Sequence, residues 1–285
     1  MKTSSPLRYP GGKSAMTGLL SQIMKLNGLG NRAIAEPFAG GAGASLNLLF
    51  LEETNDIYIN DADPAIYDFW WCLINRPKLF LNMMAMTPVS IDEWHRQRSI
   101  YNAGARVSRM RRGFSAFYLN RCNRSGIIVS GGPIGGIEQV GKWKLDARFN
   151  KVELSRRCEK VAEYGDRICI SGLDGLKLID NLASTEIYFF IDPPYFIKGG
   201  SLYLNALEDN YHLSLANRLN SMQDAAWVLT YDDCREIRRL YDDWATIRPF
   251  TLRYTASNQK NGKEILIAPK WMRLPRHQTS MAIAW

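Results

Sequence analysis

A carboxylate and an aromatic ring lie close together in the stretch Asp192-Pro193-Pro194-Tyr195. It follows the apolar run Ile187 to Ile191, which is typical of a buried parallel strand, and open α/β sheets bind ligands at the carboxyl ends of such strands. The two prolines have no N–H and fix their own φ, so they hold Asp192 and Tyr195 in a fixed relation. This arrangement suits a flat base with an amine, which would donate to the carboxylate and stack on the tyrosine. A strand-ending turn is the alternative, because Asp-Pro commonly begins turns.

A glycine-rich loop, Phe38-Ala39-Gly40-Gly41-Ala42-Gly43, follows the short predicted strand Ala33 to Glu36 and opens a predicted helix. Glycines there let the backbone approach a ligand, beside the free N–H groups of the helix N-terminus. Asp61 ends the next strand, about where an acidic residue binds ribose hydroxyls in nucleotide-binding folds. A nicotinamide dinucleotide fingerprint is the weaker interpretation, because Leu46 occupies the position of its last glycine, and a plain tight turn also stays open.

A second glycine loop, Tyr9 to Ser14, ends like a phosphate-binding P-loop. The first glycine of that motif would fall on Leu7, and no buried strand precedes the loop, so a phosphate cradle is not indicated. Lys13 is suited instead to hold a carboxylate, such as that of an amino-acid-like cofactor.

The elements around these motifs alternate between strand and helix, which predicts an α/β fold with a parallel sheet and right-handed crossovers. Near the end of the chain, two strands flank the polar segment Ser257 to Gly262 and predict an antiparallel hairpin added to that sheet. The predicted strands are Ala33 to Glu36, Asp56 to Ile59, Arg167 to Ser171, Ile187 to Ile191, Trp227 to Thr230, Thr246 to Thr255 and Glu264 to Ile267.

The middle of the chain, residues 83–154, has few apolar runs and many Gly, Arg and Asn residues, so we interpret it as an inserted, mostly helical and loop lobe. Residues 96–160 contain 15 basic and 4 acidic residues, a net charge of +11, although the whole chain carries only +8. A local basic field attracts polyanions. A solvated basic face is the alternative.

Composition limits the remaining classes of fold and function. The 285 residues are 46% hydrophobic and 22% charged, which is ordinary for one large globular domain with an insert. We expect no membrane span and no secretory leader. The five cysteines are odd in number and lie far apart, which favours reduced thiols in the cytoplasm, and the three scattered histidines do not support zinc binding.

Taken in order, Tyr9 to Lys13, Glu36 to Gly43, Asn60-Asp61 and Asp192 to Tyr195 resemble the Dam-type family. These are D12 class, alpha-group, S-adenosylmethionine-dependent DNA adenine-N6 methyltransferases. The likeness continues through Phe117 to Arg121, Leu202 to Asn205, Tyr211-His212 and Trp227 to Thr230, and so covers nearly the whole chain. It implies a Rossmann-like catalytic domain of residues 1–82 and 155–285 and a target-recognition insert of residues 83–154.

The resemblance also implies roles for the matching residues. Lys13 and Tyr9 would contact the cofactor, Asp61 its ribose and Asp174 its adenine amine, although Asp174 is also a helix-cap candidate. Asp192 would serve both the cofactor side and the target amine, fixed by Pro193 and Pro194, with Tyr195 on the flipped base. Phe38, Gly40, Gly41 and Gly43 would shape the cofactor pocket.

For the insert we expect two kinds of DNA contact. Phosphates would be anchored by Arg106, Arg109, Arg111, Arg112, Lys142 and Lys144. Bases would be read by Asn120, Arg121, Asn123 and Arg124, since Arg pairs with guanine edges and Asn with adenine edges, while an ordinary polar loop is the alternative. The segment Cys122 to Gly136 departs most from the family, so no recognition sequence is implied.

The predicted function is therefore methyl transfer from S-adenosylmethionine, without a metal, to N6 of an adenine flipped out of double-stranded DNA, leaving S-adenosylhomocysteine. The expected setting is the cytoplasm of a bacterium or a phage-infected cell, with the protein a monomer or weak dimer. A cognate restriction or defence partner, a phage genome modifier and a solitary enzyme all stay open. The rival hypotheses are an RNA or protein methyltransferase, a binding protein without catalysis, and a nicotinamide oxidoreductase.

Overall fold

The computed structural model describes residues 4–8, 12–183, 186–196, 209–253, 261–275 and 281–282. Within them, eight strands form one sheet in the order β3-β2-β1-β4-β5-β7-β6-β8. The strands are β1 Ala33–Glu36, β2 Ile57–Asn60, β3 Ile168–Ser171, β4 Ile187–Ile191, β5 Ala226–Asp232, β6 Ala245–Arg253, β7 Asn261–Pro269 and β8 Met281–Ala282.

Strands β3, β2, β1, β4 and β5 are parallel neighbours, and Ile34 of β1 pairs with Ile57 on one side and Tyr188 on the other. The predicted α/β class with a mostly parallel sheet is confirmed. Strand β7 lies between β5 and β6 and pairs antiparallel with both. Residues 254–260, which contain most of the predicted turn, lie outside the described residues, and Asn261 and Gly262 belong to β7.

Helices cover both faces of the sheet. Along β4, Tyr188 and Phe190 join the core on one face, while Phe189 and Ile191 join the core on the other, as alternation along a strand requires. No helix within the described ranges is long and apolar enough to cross a membrane. The helices are α1 Thr17–Leu26, α2 Gly43–Phe50, α3 Pro64–Asn75, α4 Pro77–Met86, α5 Ile91–Ala103, α6 Arg109–Cys122, α7 Lys151–Glu163, α8 Gly175–Leu182, α9 Asp209–Asn220 and α10 Arg235–Tyr241.

The central lobe shares its core with the rest of the protein. The buried rings of Phe114 and Phe117 on α6 pack against Phe80 of α4, and Phe117 stacks on Phe69 of α3 with centroids 5.7 Å apart. The predicted boundaries at residues 83 and 154 fall inside α4 and α7. The longest helix of this segment therefore completes the main core, and the division into two domains stays a prediction.

Helices α3 and α6 approach closely at a glycine. A Cβ added to Gly113 would lie 2.6–2.7 Å from backbone atoms of Asp68 and Phe69. The same contact contains the fully buried carboxylate of Asp68, which Arg112 and Arg109 of α6 reach at 2.6 and 3.1 Å. Close backbone contact and ion pairs together fix the lobe against the sheet.

We predict that Gly113→Ala destabilises the protein by about 1–3 kcal/mol, because the new methyl group forces α3 and α6 apart. The matched control is Gly18→Ala on α1, where an added Cβ meets nothing within 4 Å. That change should be neutral or stabilise by about 0.5–1 kcal/mol, since alanine favours a helix over glycine. Urea denaturation of both variants measures the difference, and equal effects would contradict the close-contact account.

Candidate functional site

The sheet has a topological switch point between β1 and β4. From β1 the chain continues to β2 on one side, and it returns to the other side with β4. Ligands bind in the crevice at the carboxyl ends of strands at such points. Strand β1 ends at Glu36, before the glycine loop, and β4 ends at Ile191, before Asp192. The two strongest sequence motifs therefore meet at one edge of the sheet.

A cluster of interacting side chains, here called the Asp192 cluster, lies at that edge and consists of Lys13, Asp192, Tyr195, Thr230 and Glu264. The Lys13 ammonium lies 3.0 Å from Asp192 Oδ1 and 3.8 Å from Glu264 Oε2. The Tyr195 hydroxyl donates to Glu264 Oε2 at 2.6 Å, and Lys13 lies 4.8 Å from the centre of the Tyr195 ring. The Thr230 hydroxyl also donates to Asp192 Oδ1.

Burial distinguishes the members of this cluster. Lys13 and Glu264 are buried, whereas the Asp192 side chain keeps 23% of its surface exposed. The contacts from Lys13 and Thr230 both go to Oδ1 of Asp192. The resemblance implied that Lys13 binds the cofactor's carboxylate, but its ammonium here lies between two carboxylates of the protein.

Residues after β4 are held by β5. The Phe196 N–H donates to Asp232 Oδ1 at 3.2 Å, and the Tyr195 ring lies 6.3 Å from that of Tyr231, whose hydroxyl is 2.6 Å from His212 Nδ1. Pro193 is buried, and Tyr195 is half-buried. The Tyr195 ring thus packs near Tyr231, and the Lys13 ammonium contacts both this ring and Asp192.

Asn60, at the end of β2, joins two loops at the same edge. Its side-chain amide donates to the carbonyls of Pro37 and Leu173, both at 2.8 Å, and its Oδ1 accepts from the Ser171 hydroxyl and the Leu173 N–H. Asn60 is buried, and both its side-chain NH₂ group and its Oδ1 are engaged in these hydrogen bonds. The loops after β1 and β3 are therefore fixed by the residue that precedes Asp61.

The glycine loop is held from both sides. The Gly40 N–H donates to Asp61 Oδ2 at 2.9 Å, and the Gly40 carbonyl accepts from the indole of Trp70 at 2.9 Å. Gly40 and Ala42 both have a φ of 47°, a left-handed conformation that suits glycine and is unusual for alanine. A Cβ on Gly43 would lie 2.2 Å from Ser14 Oγ, so this glycine lets the segment after Lys13 pack on the loop.

Phe38 and Asp174 line the crevice on the α8 side. The Phe38 ring packs on Gly175, where a Cβ would lie 2.4 Å away, and it meets the Tyr211 ring edge-on at 6.3 Å. Asp174 caps α8 by accepting from the N–H groups of Leu176 and Lys177, and it also accepts from the Tyr211 hydroxyl at 2.9 Å. The helix-cap alternative for Asp174 is therefore observed, and the residue is at the crevice as well.

Two carboxyl groups at this edge have pKa values near neutrality. Burial raises the pKa of Asp61 to about 7, with Asp63 adding to the effect, although N–H donors from Asp63 and Gly40 oppose it. Burial likewise raises the pKa of Glu36 to about 7, against hydrogen bonds from Ser45 and with a further rise from Asp192. Such shifts are common at functional sites because ligand-binding edges combine burial with several charges.

Three of the four residues expected to read bases are buried and satisfied by the protein. Asn120 is 0% exposed and exchanges hydrogen bonds with the Arg8 backbone, and Asn123 is fully buried and donates to the Ile127 carbonyl. Arg121 donates to the carbonyls of Arg148 and Pro6, and burial lowers its pKa to about 9. These contacts contradict base reading by Asn120, Arg121 and Asn123, whose polar atoms hold the N-terminal segment and the following loop.

The residues expected to anchor phosphates have two different environments. Arg109 and Arg112 are paired with Asp68, and Arg109 also lies over the rings of Tyr67 and Trp71. Their primary contacts are therefore within the protein. Besides Arg109, the exposed members of the predicted phosphate set are Arg106, Arg111, Lys142 and Lys144. Arg124, from the predicted base-reading set, is exposed as well.

A loop between α6 and α7 presents apolar and basic side chains together. Val140 is 85% exposed and Trp143 is 62% exposed, with Lys142 and Lys144 on either side of the tryptophan. The Gln139 side chain donates to the carbonyls of Ile134 and Gly136 and accepts from the Leu145 N–H, so the loop has internal support. Exposed aromatic and basic groups on a supported loop are suited to stacking and phosphate contact.

The sequence analysis missed Glu264 and Thr230. The pattern of polar and apolar residues around Glu264 did not indicate that its side chain is buried. Tyr9 falls outside the described residues. Within the ranges that the structure describes, no group of three or more His, Cys, Asp and Glu side chains is arranged to hold a metal ion.

A family model described as D12 class N6 adenine-specific DNA methyltransferase matches residues 9–255. Among solved structures, a conserved hypothetical protein from Streptococcus pyogenes is similar over 86% of this chain and 91% of that chain, at 8% identity and a TM-score of 0.34. That likeness carries no functional argument. No curated protein matches the chain.

We predict that Glu36→Gln makes the protein more stable at pH 8 and leaves its stability near pH 4.5 almost unchanged. The folded pKa of Glu36, about 7, is above its ordinary value of 4.5, so the folded state binds the extra proton between these pH values. The free energy of unfolding of the wild type therefore falls as pH rises through that window, by on the order of 1–3 kcal/mol, and glutamine removes this loss. Urea denaturation of the wild type and the variant at both pH values measures the difference in their free energies of unfolding. An equal difference at pH 8 and pH 4.5 would contradict the prediction.

Proposed function

Because the chain belongs to the family of D12 class N6 adenine-specific DNA methyltransferases, we propose that it methylates an adenine flipped out of duplex DNA at a specific site, at the Asp192 cluster. The family uses S-adenosylmethionine as methyl donor. The observation that carries the proposal is the Asp192 carboxylate at the switch-point edge, part exposed and beside the Tyr195 ring.

The crevice between the glycine loop and α8 fits the nucleoside part of the cofactor. Asp61 offers a carboxylate for hydroxyl donors, Asp174 offers one for an amine, and Phe38 provides an apolar ring between the two loops. The left-handed backbone at Gly40 allows a ligand to approach the main chain closely. When bound, S-adenosylmethionine supplies a sulfonium methyl group, which is open to in-line displacement.

Asp192 would activate the target amine through a hydrogen bond. An adenine amine is a weak nucleophile because its lone pair is delocalised into the ring. Donation of its N–H groups to Asp192 and to the carbonyl in the Pro193 region favours a pyramidal nitrogen, which frees the lone pair. Holding the amine in line contributes up to roughly 7–11 kcal/mol in favourable cases. The proton leaves after transfer, because the methylated amine is strongly acidic, and Asp192 is in place to accept it.

Tyr195 would hold the flipped base by stacking. Flipping costs about a few kcal/mol, which an aromatic partner in the pocket offsets. The ring is fixed at its hydroxyl by Glu264 and keeps part of its surface exposed. It therefore offers a preformed face next to Asp192.

We infer that the DNA-facing surface is built from the exposed part of the central lobe. Its members are Arg106, Arg111, Arg124, Lys142, Trp143 and Lys144. The lobe is joined to the crevice, since Asn120 holds the backbone of Arg8, a few residues before Lys13. Phosphate contacts would come from the cations and stacking from Trp143.

The direct test is transfer of a tritiated methyl group from S-adenosylmethionine to unmethylated duplex DNA, followed by nucleoside analysis. We expect label on N6-methyladenine, and sequencing of the product should give one short recognition site. Label on RNA with none on duplex DNA would overturn the proposed substrate. Cofactor binding without any transfer would indicate a protein that has lost catalysis.

We predict that Asp192→Ala lowers methyl transfer by at least about 100-fold, because the amine loses its acceptor, while cofactor affinity changes by less than about fivefold. Single-turnover transfer and calorimetric titration with S-adenosylmethionine separate these effects. Near-wild-type turnover would exclude Asp192 as the group that activates the amine.

We predict that Lys142→Gln combined with Lys144→Gln weakens duplex DNA binding and flattens its salt dependence, by about 0.9 in slope for each phosphate that the variant no longer neutralises. The control is Lys270→Gln, since exposed Lys270 follows β7 at the opposite edge of the sheet from Asp192. Fluorescence anisotropy at several salt concentrations measures both variants. An unchanged slope in the double variant would place the DNA elsewhere.

A further inference from the structure

We propose that Glu264 on β7 is a positioning residue for the methyl-transfer site, because its carboxylate fixes the Tyr195 ring and shares the Lys13 ammonium with Asp192. The inference rests on the proposed function and deepens it by assigning a role to the antiparallel strand β7. Glu264 lies outside every motif that carried the family resemblance.

The position of Glu264 in the sheet makes its orientation rigid. It pairs with Asp232 of β5 and with Phe250 of β6, so hydrogen-bonded strands flank it on both sides. Its side chain is 0% exposed. A buried carboxylate is costly unless it is paired and hydrogen-bonded, and Tyr195 and Lys13 supply such contacts at 2.6 and 3.8 Å. The contact is therefore specific.

The first consequence concerns Tyr195. A hydrogen bond at the hydroxyl limits the swing of a tyrosine side chain about its Cα–Cβ bond, and Glu264 accepts such a bond from Tyr195. A hydrogen bond to an ionised acceptor is roughly twice as strong as one between neutral groups. Glu264 thereby helps to fix the position of the ring on which the target base would stack.

The second consequence concerns Asp192. Lys13 is nearer to Asp192 Oδ1, at 3.0 Å, than to Glu264, and both carboxylates attract the same ammonium. Removal of the charge on Glu264 would take away one of the two carboxylates that attract this ammonium, so its interaction with Asp192 would strengthen. Asp192 would then be a weaker hydrogen-bond acceptor for the adenine amine. Both consequences act on the chemical step, whereas the crevice that fits the nucleoside part of the cofactor is formed by other residues.

The test uses Glu264→Gln, which keeps the size of the side chain and removes its charge. We expect kcat for methylation of duplex DNA to fall by at least about tenfold, with the Kd for S-adenosylmethionine changed by less than about threefold. Glu264→Asp keeps the charge on a shorter side chain and should recover part of the loss. The matched control for loss of a carboxylate is Asp180→Asn, in an exposed ion pair with Arg218, which should leave kcat unchanged.

A double-mutant cycle with Tyr195→Phe tests the contact without any assay of activity. If Glu264 acts through the tyrosine hydroxyl, the free energy of unfolding in urea should fall less in the double variant than the two single falls added together. The loss of kcat in the double variant should likewise be smaller than the two single losses combined. Additive losses of stability would overturn the inference even if DNA were not the substrate. A wild type without activity on DNA would overturn the proposed function instead. With an active wild type, a Glu264→Gln kcat within about twofold of normal would overturn the inference.

Discussion

The ammonium of Lys13 lies between the carboxylates of Asp192 and Glu264, and this buried interaction connects three distant parts of the chain. Lys13 comes from the N-terminal segment, Asp192 follows the central parallel strand β4, and Glu264 is on the antiparallel strand β7. Buried charges are costly when one partner is missing. The site is therefore complete only when the parallel sheet, the antiparallel strands and the N-terminal segment have assembled together.

The loops around the proposed cofactor crevice are also held by distant parts of the chain, through hydrogen bonds in place of ion pairs. Asn60 joins the loops after β1 and β3, and Asp61 and Trp70 hold Gly40 from two sides. A loop that must present its backbone to a ligand cannot be fixed by its own side chains, particularly where it contains several glycines. Its position is determined by polar side chains from neighbouring strands and helices.

In the central lobe, some basic side chains make structural contacts within the protein and others are exposed on the surface. Arg121 and Arg112 hold backbone carbonyls and the carboxylate of Asp68, so they stabilise the connection between the lobe and the sheet. The exposed lysines lie instead in the loop that contains Trp143. Because Asn120 holds Arg8 near the start of the chain, the structure links this lobe to the segment that carries Lys13.

The sequence by itself determined the α/β class and the order of the site motifs. Strand β4 was predicted to the residue, because an entirely apolar run ending at Asp-Pro-Pro has one consistent interpretation as a buried parallel strand. The family resemblance assigned Asp61 and Asp192 to one predicted site, and both follow parallel strands whose carboxyl ends lie at one edge of the sheet. Only the tertiary structure decided which polar side chains are available. Asn120 and Arg121 have the same residue types as base-reading groups, but they are buried against the N-terminal segment, and residue type does not report burial.

Glu264 was missed for the opposite reason: a glutamate at one end of an apolar strand usually faces solvent, whereas this one faces Lys13 and Tyr195. Its partners are about 70 and 250 residues away, and contacts over such distances depend on how the strands pair.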